Sequence, residues 1–235
     1  MSQLFGYDPA VIERYPTIRA GLIHATGLAN GASPPALIDE YRAEQRAVIA
    51  RLEGIAIAEL PSISAWRRAF SQFGVKPTQY RAAAEALLRR LTKRGDIPSI
   101  NMLVDIGNLV SIRYAMPVAV IDQATIAAPT TVQFATGNER FTDLGSSESH
   151  HPEPGEVVFA DEDGVVSARR WCWRQSAQSA TSPTTVDALV VIEGHHETAS
   201  DDIDNALTDL ETLLGRYQPA STRTVTRLSP TAPEM

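Results

Sequence analysis

A chain of 235 residues can bury one sizeable core, or two small ones, without help from disulfides or metals. Hydrophobic residues make up 43% and charged residues 21%, which is ordinary globular composition, and the single cysteine, Cys172, excludes an internal disulfide. The net charge of −7 argues against a protein that coats nucleic acid nonspecifically.

The N-terminus, MSQLFGYDPAVIERYP, lacks a basic region followed by an apolar run, so no signal peptide is expected. No run of 18 apolar residues occurs, which predicts no membrane span and a cytoplasmic protein. A strand is expected over Ile18 to Thr26, followed by a Gly/Asn/Ser/Pro loop to Pro35 and a helix from Ala36 to Ile57. Pro61-Ser62 opens a second helix carrying Trp66, Phe70 and Phe73, which Gly74 stops. Pro77-Thr78 opens a third, Tyr80 to Lys93, with an apolar stripe of Ala83, Leu87, Leu88 and Leu91.

These two helices carry eight basic residues between positions 67 and 94 against one acid, Glu85, a local charge of +7 in an acidic chain. Such a window is either a solvated basic face or a phosphate-backbone contact. A fourth helix, Asn101 to Arg113, is unusually apolar and therefore expected to be buried on most sides. Asn101, Asp105 and Asn108 stack along one side of it, as a structural network or facing a cavity.

From Pro117 the period shifts toward two. Strands are expected at Val118 to Ile121, Thr131 to Ala135, Glu156 to Ala160, Val165 to Arg174 and Ala188 to Glu193. Asp163-Gly164 predicts a hairpin turn within Glu156 to Arg174, and 144–155 reads as a loop. Ser200 is placed as the cap of a last helix with Ile203, Ala206, Leu207, Leu210 and Leu214 on its core face. The residues after Tyr217 are expected to be loose. Helices first and strands later argue for an α+β fold over 1–235: a helical part to about 95, a core to about 217 and a tail over 218–235.

No phosphate-binding glycine loop, nucleophile elbow or cysteine-pair metal site is present. The pairs His150-His151 and His195-His196 would bind metal only if loops gathered them, so no metal and no cofactor is expected. On a strand, Arg170, Cys172 and Arg174 would share one face, and Arg169, Trp171 and Trp173 the other. Trp171 and Trp173 interleaved with three arginines fit either a stacking platform for a base or a core edge with snorkelling arginines.

Taken together, IPSINMLVDIGNLVSIRYAMPVAVID (Ile97 to Asp122), GNERFTDL (Gly137 to Leu144), PGEVVFAD (Pro154 to Asp161) and ALVVIE (Ala188 to Glu193) resemble the B3/B4 editing module of the phenylalanyl-tRNA synthetase β subunit, in order. The ARRWCWRQ segment and the added N-terminal helices resemble its free-standing branch. The resemblance implies a three-layer fold with a β-sandwich core, flanked by N-terminal helices and a C-terminal helix. It also implies deacylation of mischarged aminoacyl-tRNA in trans, with tRNA as partner and no stable protein partner.

Residue by residue, Asn108 matches the family's pocket asparagine and Glu193 the glutamate that recognises a tyrosine hydroxyl; these are the catalytic candidates. Gly107 stands where the synthetase usually has Thr, Ala119 where it has a pocket histidine, and Arg170 and Trp171 where it has a small Ala-Gly wall. Those differences imply a smaller or differently shaped pocket. Asn101, Asp105, Ala119, Arg169, Arg170, Trp171, Trp173 and Arg174 are the expected substrate contacts. Arg67, Arg68, Arg81, Arg89, Arg90, Lys93 and Arg94 are the expected RNA contacts. A non-catalytic RNA-binding module and a small-molecule protein that kept the pocket remain the alternatives.

Overall fold

The structure, a computed structural model, describes residues 3–235. The elements in chain order are β1 (Phe5–Tyr7), α1 (Pro9–Arg14), β2 (Arg19–Thr26), α2 (Pro35–Arg51), α3 (Pro61–Gln72), α4 (Ala83–Arg94), α5 (Met102–Tyr114), β3 (Val118–Asp122), β4 (Thr130–Phe134), β5 (Phe141–Thr142), β6 (Ser149–His150), β7 (Val157–Ala160), β8 (Val166–Arg169), β9 (Arg174–Gln175), β10 (Asp187–Gly194), α6 (Ala199–Tyr217) and β11 (Thr222–Leu228). The fold is α+β. A four-stranded antiparallel sheet, β11-β2-β10-β3, faces a five-stranded sheet, β1-β4-β7-β8-β9, as a sandwich.

Strand periodicity builds the layers. On β10, Ala188, Val190 and Ile192 enter one core with α2, α4, α5 and α6, while Leu189 and Val191 enter the other, between the sheets. Helices, sheet and sheet therefore form three layers. α5 lies deepest in the helix layer, in contact with α2, α4, α6 and β3. It approaches β3 closely because Gly107 has no side chain: a Cβ there would meet Val120 Cγ2 at 3.1 Å. Asn101 caps α5 by accepting from the Val104 N–H at 3.0 Å, an ordinary reason for a polar residue at that position.

The structure corrects several expected boundaries. The helix expected to run to Ile57 ends at Arg51, before Gly54 turns the chain at φ +73°. α4 starts at Ala83 rather than Tyr80, because the Ala83 N–H donates to the Cys172 carbonyl at 2.8 Å instead of continuing a turn from its own segment. Thr198, not Ser200, stands at the start of α6, with Asp201 and Asp202 in its first turn. The segment expected to be loose after Tyr217 forms β11, paired along its length with β2, and then a return to β1. There, the Met235 N–H donates to the Phe5 carbonyl at 2.9 Å and the Tyr7 N–H to the Pro233 carbonyl at 3.1 Å. The N-terminal part holds, besides the expected strand β2, an unexpected one, β1, which pairs in parallel with β4.

Among the described residues no helix is long and apolar enough to cross a membrane.

Candidate functional site

The expected strand Val165 to Arg174 is broken, and the break makes the site. β8 ends at Arg169, and Arg170 and Trp171 adopt φ of +45° and +61°, left-handed values that non-glycine residues rarely hold. The face-sharing expected for Arg170, Cys172 and Arg174 is therefore replaced by a tight turn before β9. The turn drives the Trp171 ring fully inside: the backbone N–H of Trp171 donates to the Val157 carbonyl, and its indole Nε1–H to Glu193 Oε1 at 2.9 Å.

Glu193 lies near the end of β10, pointing between the sheets. Its Oε1 also accepts the Tyr7 hydroxyl at 2.6 Å, whereas Oε2 has no hydrogen-bond partner among the described residues. Burial pushes the Glu193 carboxyl up to about 7, and the bonds from Trp171 and Tyr7 only partly oppose that. The Tyr7 hydroxyl is itself raised well above its usual range by burial and by the neighbouring carboxylate.

Beside Glu193 opens a mostly apolar pocket of about 80 Å³, walled by Pro117, Ala119, Phe159, Trp171, Cys172 and Val191. Trp173, Arg174 and Gln175 also line it, together with Ala83 at the start of α4. Tyr80 and Trp173 meet edge to face at 5.0 Å, and the Arg170 and Arg174 guanidinium groups lie 4.0 Å from the Tyr80 ring and 4.4 Å from the Trp173 ring respectively. Burial pushes the Cys172 thiol well up, and Glu193 adds to the effect, so the thiol is held neutral.

The expected site residues divide clearly. Glu193, Ala119, Trp171, Trp173 and Arg174 come together at the pocket. Asn108 does not: it sits on α5 in the helix layer, beside the Tyr41 hydroxyl of α2 without bonding to it. Asp105 is wholly buried in a structural role, accepting from Ser33 Oγ at 2.6 Å, the Ile100 N–H at 2.9 Å and the Ser99 hydroxyl. Asn101, besides capping α5, reaches Thr181 Oγ1 at 3.2 Å. Arg169 is buried in a forked pair with Glu156, at 2.7 Å and 3.2 Å, and Arg170 joins the same carboxylate at 2.9 Å. Neither is free to hold a phosphate in this arrangement.

The sequence matches the B3/4 domain over residues 65–209, more than half of the chain. The chain belongs to the B3/4 domain family. An N-terminal fragment of the phenylalanyl-tRNA synthetase β subunit from Pyrococcus horikoshii is a similar solved structure, with 12% identity and a TM-score of 0.48. The similarity covers 94% of this chain and 50% of that one, so this chain spans about half the length of the fragment. No curated protein matches the sequence.

The B3/4 match reaches further toward the N-terminus than the quoted motifs, taking in most of α3 and all of α4. The basic window lies here, and it is not one open face. Buried Glu85 gathers Arg67 at 2.9 Å, Arg89 at 2.8 Å and Arg81 at 3.8 Å. Arg90 is drawn to Asp96 at 3.9 Å, and Arg68 to Ser64 Oγ at 2.9 Å. Lys93 and Arg94 occupy the last turn of α4, where the helix dipole favours cations.

The histidine pairs diverge as adjacent side chains do. His151 Nδ1 meets the Glu139 carbonyl at 2.8 Å, and His196 Nε2 meets Asp202 at 2.9 Å, while His195 packs among aromatic rings. Among the described residues no three His, Cys, Asp or Glu side chains gather as metal ligands.

Tyr7 lies outside the B3/4 match and was not a sequence candidate. Asp8-Pro9 behind it is a helix-start signal that would have placed α1, since Asp8 accepts from the Ala10 N–H at 2.8 Å. Nothing local indicates the contact to Glu193, 186 positions away.

Proposed function

We propose that this B3/4 domain protein hydrolyses the ester of misacylated tRNA in trans, and that its pocket accepts a small amino-acid side chain. One observation carries the reading: a carboxyl poised at about 7, with one oxygen unbonded, beside a small apolar pocket. A group with that proton affinity serves as a general base at neutral pH. Glu193 Oε2 takes the proton of a water whose oxygen adds to the ester carbonyl. The tetrahedral intermediate then expels the ribose oxygen, which recovers the proton, leaving free amino acid and tRNA. An ester is already activated, so no covalent nucleophile is required.

The volume of about 80 Å³ sets the specificity. An apolar cavity of ~150 Å³ is what benzene occupies, so a phenol or indole is too large here. The Trp173 ring at the rim suits the terminal adenosine by stacking; Arg174 beside it is paired with Asp143 at 2.7 Å and adds little free charge. Arg90, Lys93 and Arg94 on α4 extend the basic surface toward the acceptor stem.

The test is deacylation of a panel of aminoacyl-tRNAs by the wild type and by Glu193→Gln. Turnover confined to small amino acids, reduced in the variant by about 10²-fold or more, is the expected result. Turnover unchanged in the variant removes Glu193 as the base. Salt-sensitive tRNA binding without turnover makes the protein a binding module, and absence of both makes it a small-molecule protein.

A further inference from the structure

Trp171, a wall of the Glu193 pocket, also meets His195 edge to face at 5.0 Å. Trp66 meets His195 in the same manner at 4.6 Å, and Tyr15 at 6.1 Å. His195 is only 8% exposed, and burial, helped by the nearby charges of His196, Arg19 and Arg68, pushes its imidazole down to about 3. It is therefore a neutral ring, with Nδ1 at 3.3 Å from Thr17 Oγ1 and Nε2 without a partner. Tyr15 Oη is likewise buried, beside the Arg14 guanidinium. Both atoms are sealed from solvent, although their side chains help to line one cavity.

The cavity they line measures about 280 Å³, and its other walls are Arg14, Pro16, Thr17, Arg68 and Gln72 with two alanines of α3. Among the described residues no acidic side chain lines it. Neither Arg14 nor Arg68 has a carboxylate partner among the described residues; Arg14 donates to the Gln72 carbonyl and Arg68 to Ser64 Oγ. In a chain of net charge −7, two guanidinium groups without carboxylate partners over neutral side chains form an anion-selective arrangement. The accessible donors also converge from three segments: Arg14 at the end of α1, Thr17 in the loop before β2 and Arg68 on one face of α3. A planar carboxylate uses only two oxygens, whereas the three oxygens of a phosphate monoester suit donors arriving from three directions.

We propose that this cavity is a phosphate-monoester site, in which Arg14 and Arg68 hold phosphoryl oxygens and the exposed Thr17 hydroxyl, backed by His195, meets a third. The site is separate from the Glu193 pocket and stands whether or not that pocket hydrolyses esters. Trp171 lines the Glu193 pocket and packs on Tyr15 and His195, which line this cavity, so the two are joined through one shared layer of rings.

Two of the three tryptophans pack on His195, which makes intrinsic fluorescence a direct probe. The protein is titrated at constant ionic strength with inorganic phosphate, glycerol 3-phosphate and acetate, with calorimetry in parallel. The expected result is saturable binding of glycerol 3-phosphate with a fluorescence change and no response to acetate. Arg14→Ala/Arg68→Ala replaces two exposed side chains, so it retains the fold by circular dichroism and loses about tenfold or more in affinity. No saturation up to about 20 mM, equal affinity in the double variant, or equal binding of acetate overturns the site. A second arm compares 5′-phosphorylated with dephosphorylated tRNA. Tighter binding of the former, competed by glycerol 3-phosphate, identifies a nucleic-acid terminus as the source of the phosphate; indifference identifies a free small ester.

Discussion

Asp105 and Glu193 are two buried carboxylates on opposite sides of the four-stranded sheet, and the protein treats them differently. Asp105, in the helix layer, accepts three hydrogen bonds spread over both oxygens and thereby ties the loop at Ser33 and the turn at Ser99-Ile100 to the start of α5. Glu193, between the sheets, accepts two bonds on one oxygen and none on the other, next to open volume. A carboxylate saturated by donors is architecture; one left half-saturated in a desolvated place is ready to exchange a proton. Burial alone does not distinguish them.

The sharpest break in that comparison is pH. Glu193 is raised from 4.5 to about 7, so between those values the folded state binds more protons than the unfolded state and stability falls as pH rises. His195 is lowered from 6.5 to about 3, so over that interval the unfolded state binds more protons and stability rises with pH. The two slopes oppose each other between about 4.5 and 6.5. Urea unfolding of Glu193→Gln is expected to expose the His195 slope, about 5 kcal/mol in total, and that of His195→Gln the Glu193 slope, about 3 kcal/mol of the opposite sign. Parallel pH profiles for both variants refute the assignment.

Asp105→Ala strands a backbone N–H and two hydroxyls inside the helix layer, and is expected to cost about 3 kcal/mol in chemical denaturation. Its effect on deacylation per folded molecule is expected to be small, which separates the two carboxylates functionally. Tyr7→Phe removes one donor from Glu193 at nearly constant volume. It is expected to cost about 1.5 kcal/mol and to move the Glu193 titration further upward, read as a shift in the pH profile of deacylation. The smallest effect is expected for Arg90→Ala, whose exposed pair with Asp96 contributes within about 0.5 kcal/mol of stability, while the salt dependence of tRNA binding becomes shallower.

Sequence periodicity located α3, α5, β2, β3, β4 and β10 to within a few residues, because each has a strong apolar pattern and a local stop signal. It misplaced the segments whose conformation is decided from elsewhere. Residues 165–174 alternate like a strand, yet the buried bonds of Trp171 to Val157 and Glu193 hold the chain in a left-handed turn that local propensity disfavours. The Ser/Thr/Pro composition after Tyr217 reads as loose, yet β11 finds the free edge of β2. A bare strand edge rewards pairing whatever the local composition, and composition carries no information about the edge.

The candidate site divides along the same line. The alternation in ALVVIE puts Glu193 on the sandwich face of β10, and the apolar character of α5 puts that helix deep in the other layer; both follow from the amino-acid order, since side-chain direction is fixed by local backbone period. The order of residues likewise carries the family and the α+β class. Only the tertiary structure decided that Tyr7 and Trp171 bond to Glu193, that Asn108 lies in a different layer from it, that Arg67, Arg81 and Arg89 converge on Glu85, and that Arg14, Arg68 and His195 line one cavity. Those contacts join residues far apart in the chain, and the energy of a hydrogen bond or an ion pair depends on distance and desolvation in space, which neighbours in sequence do not encode.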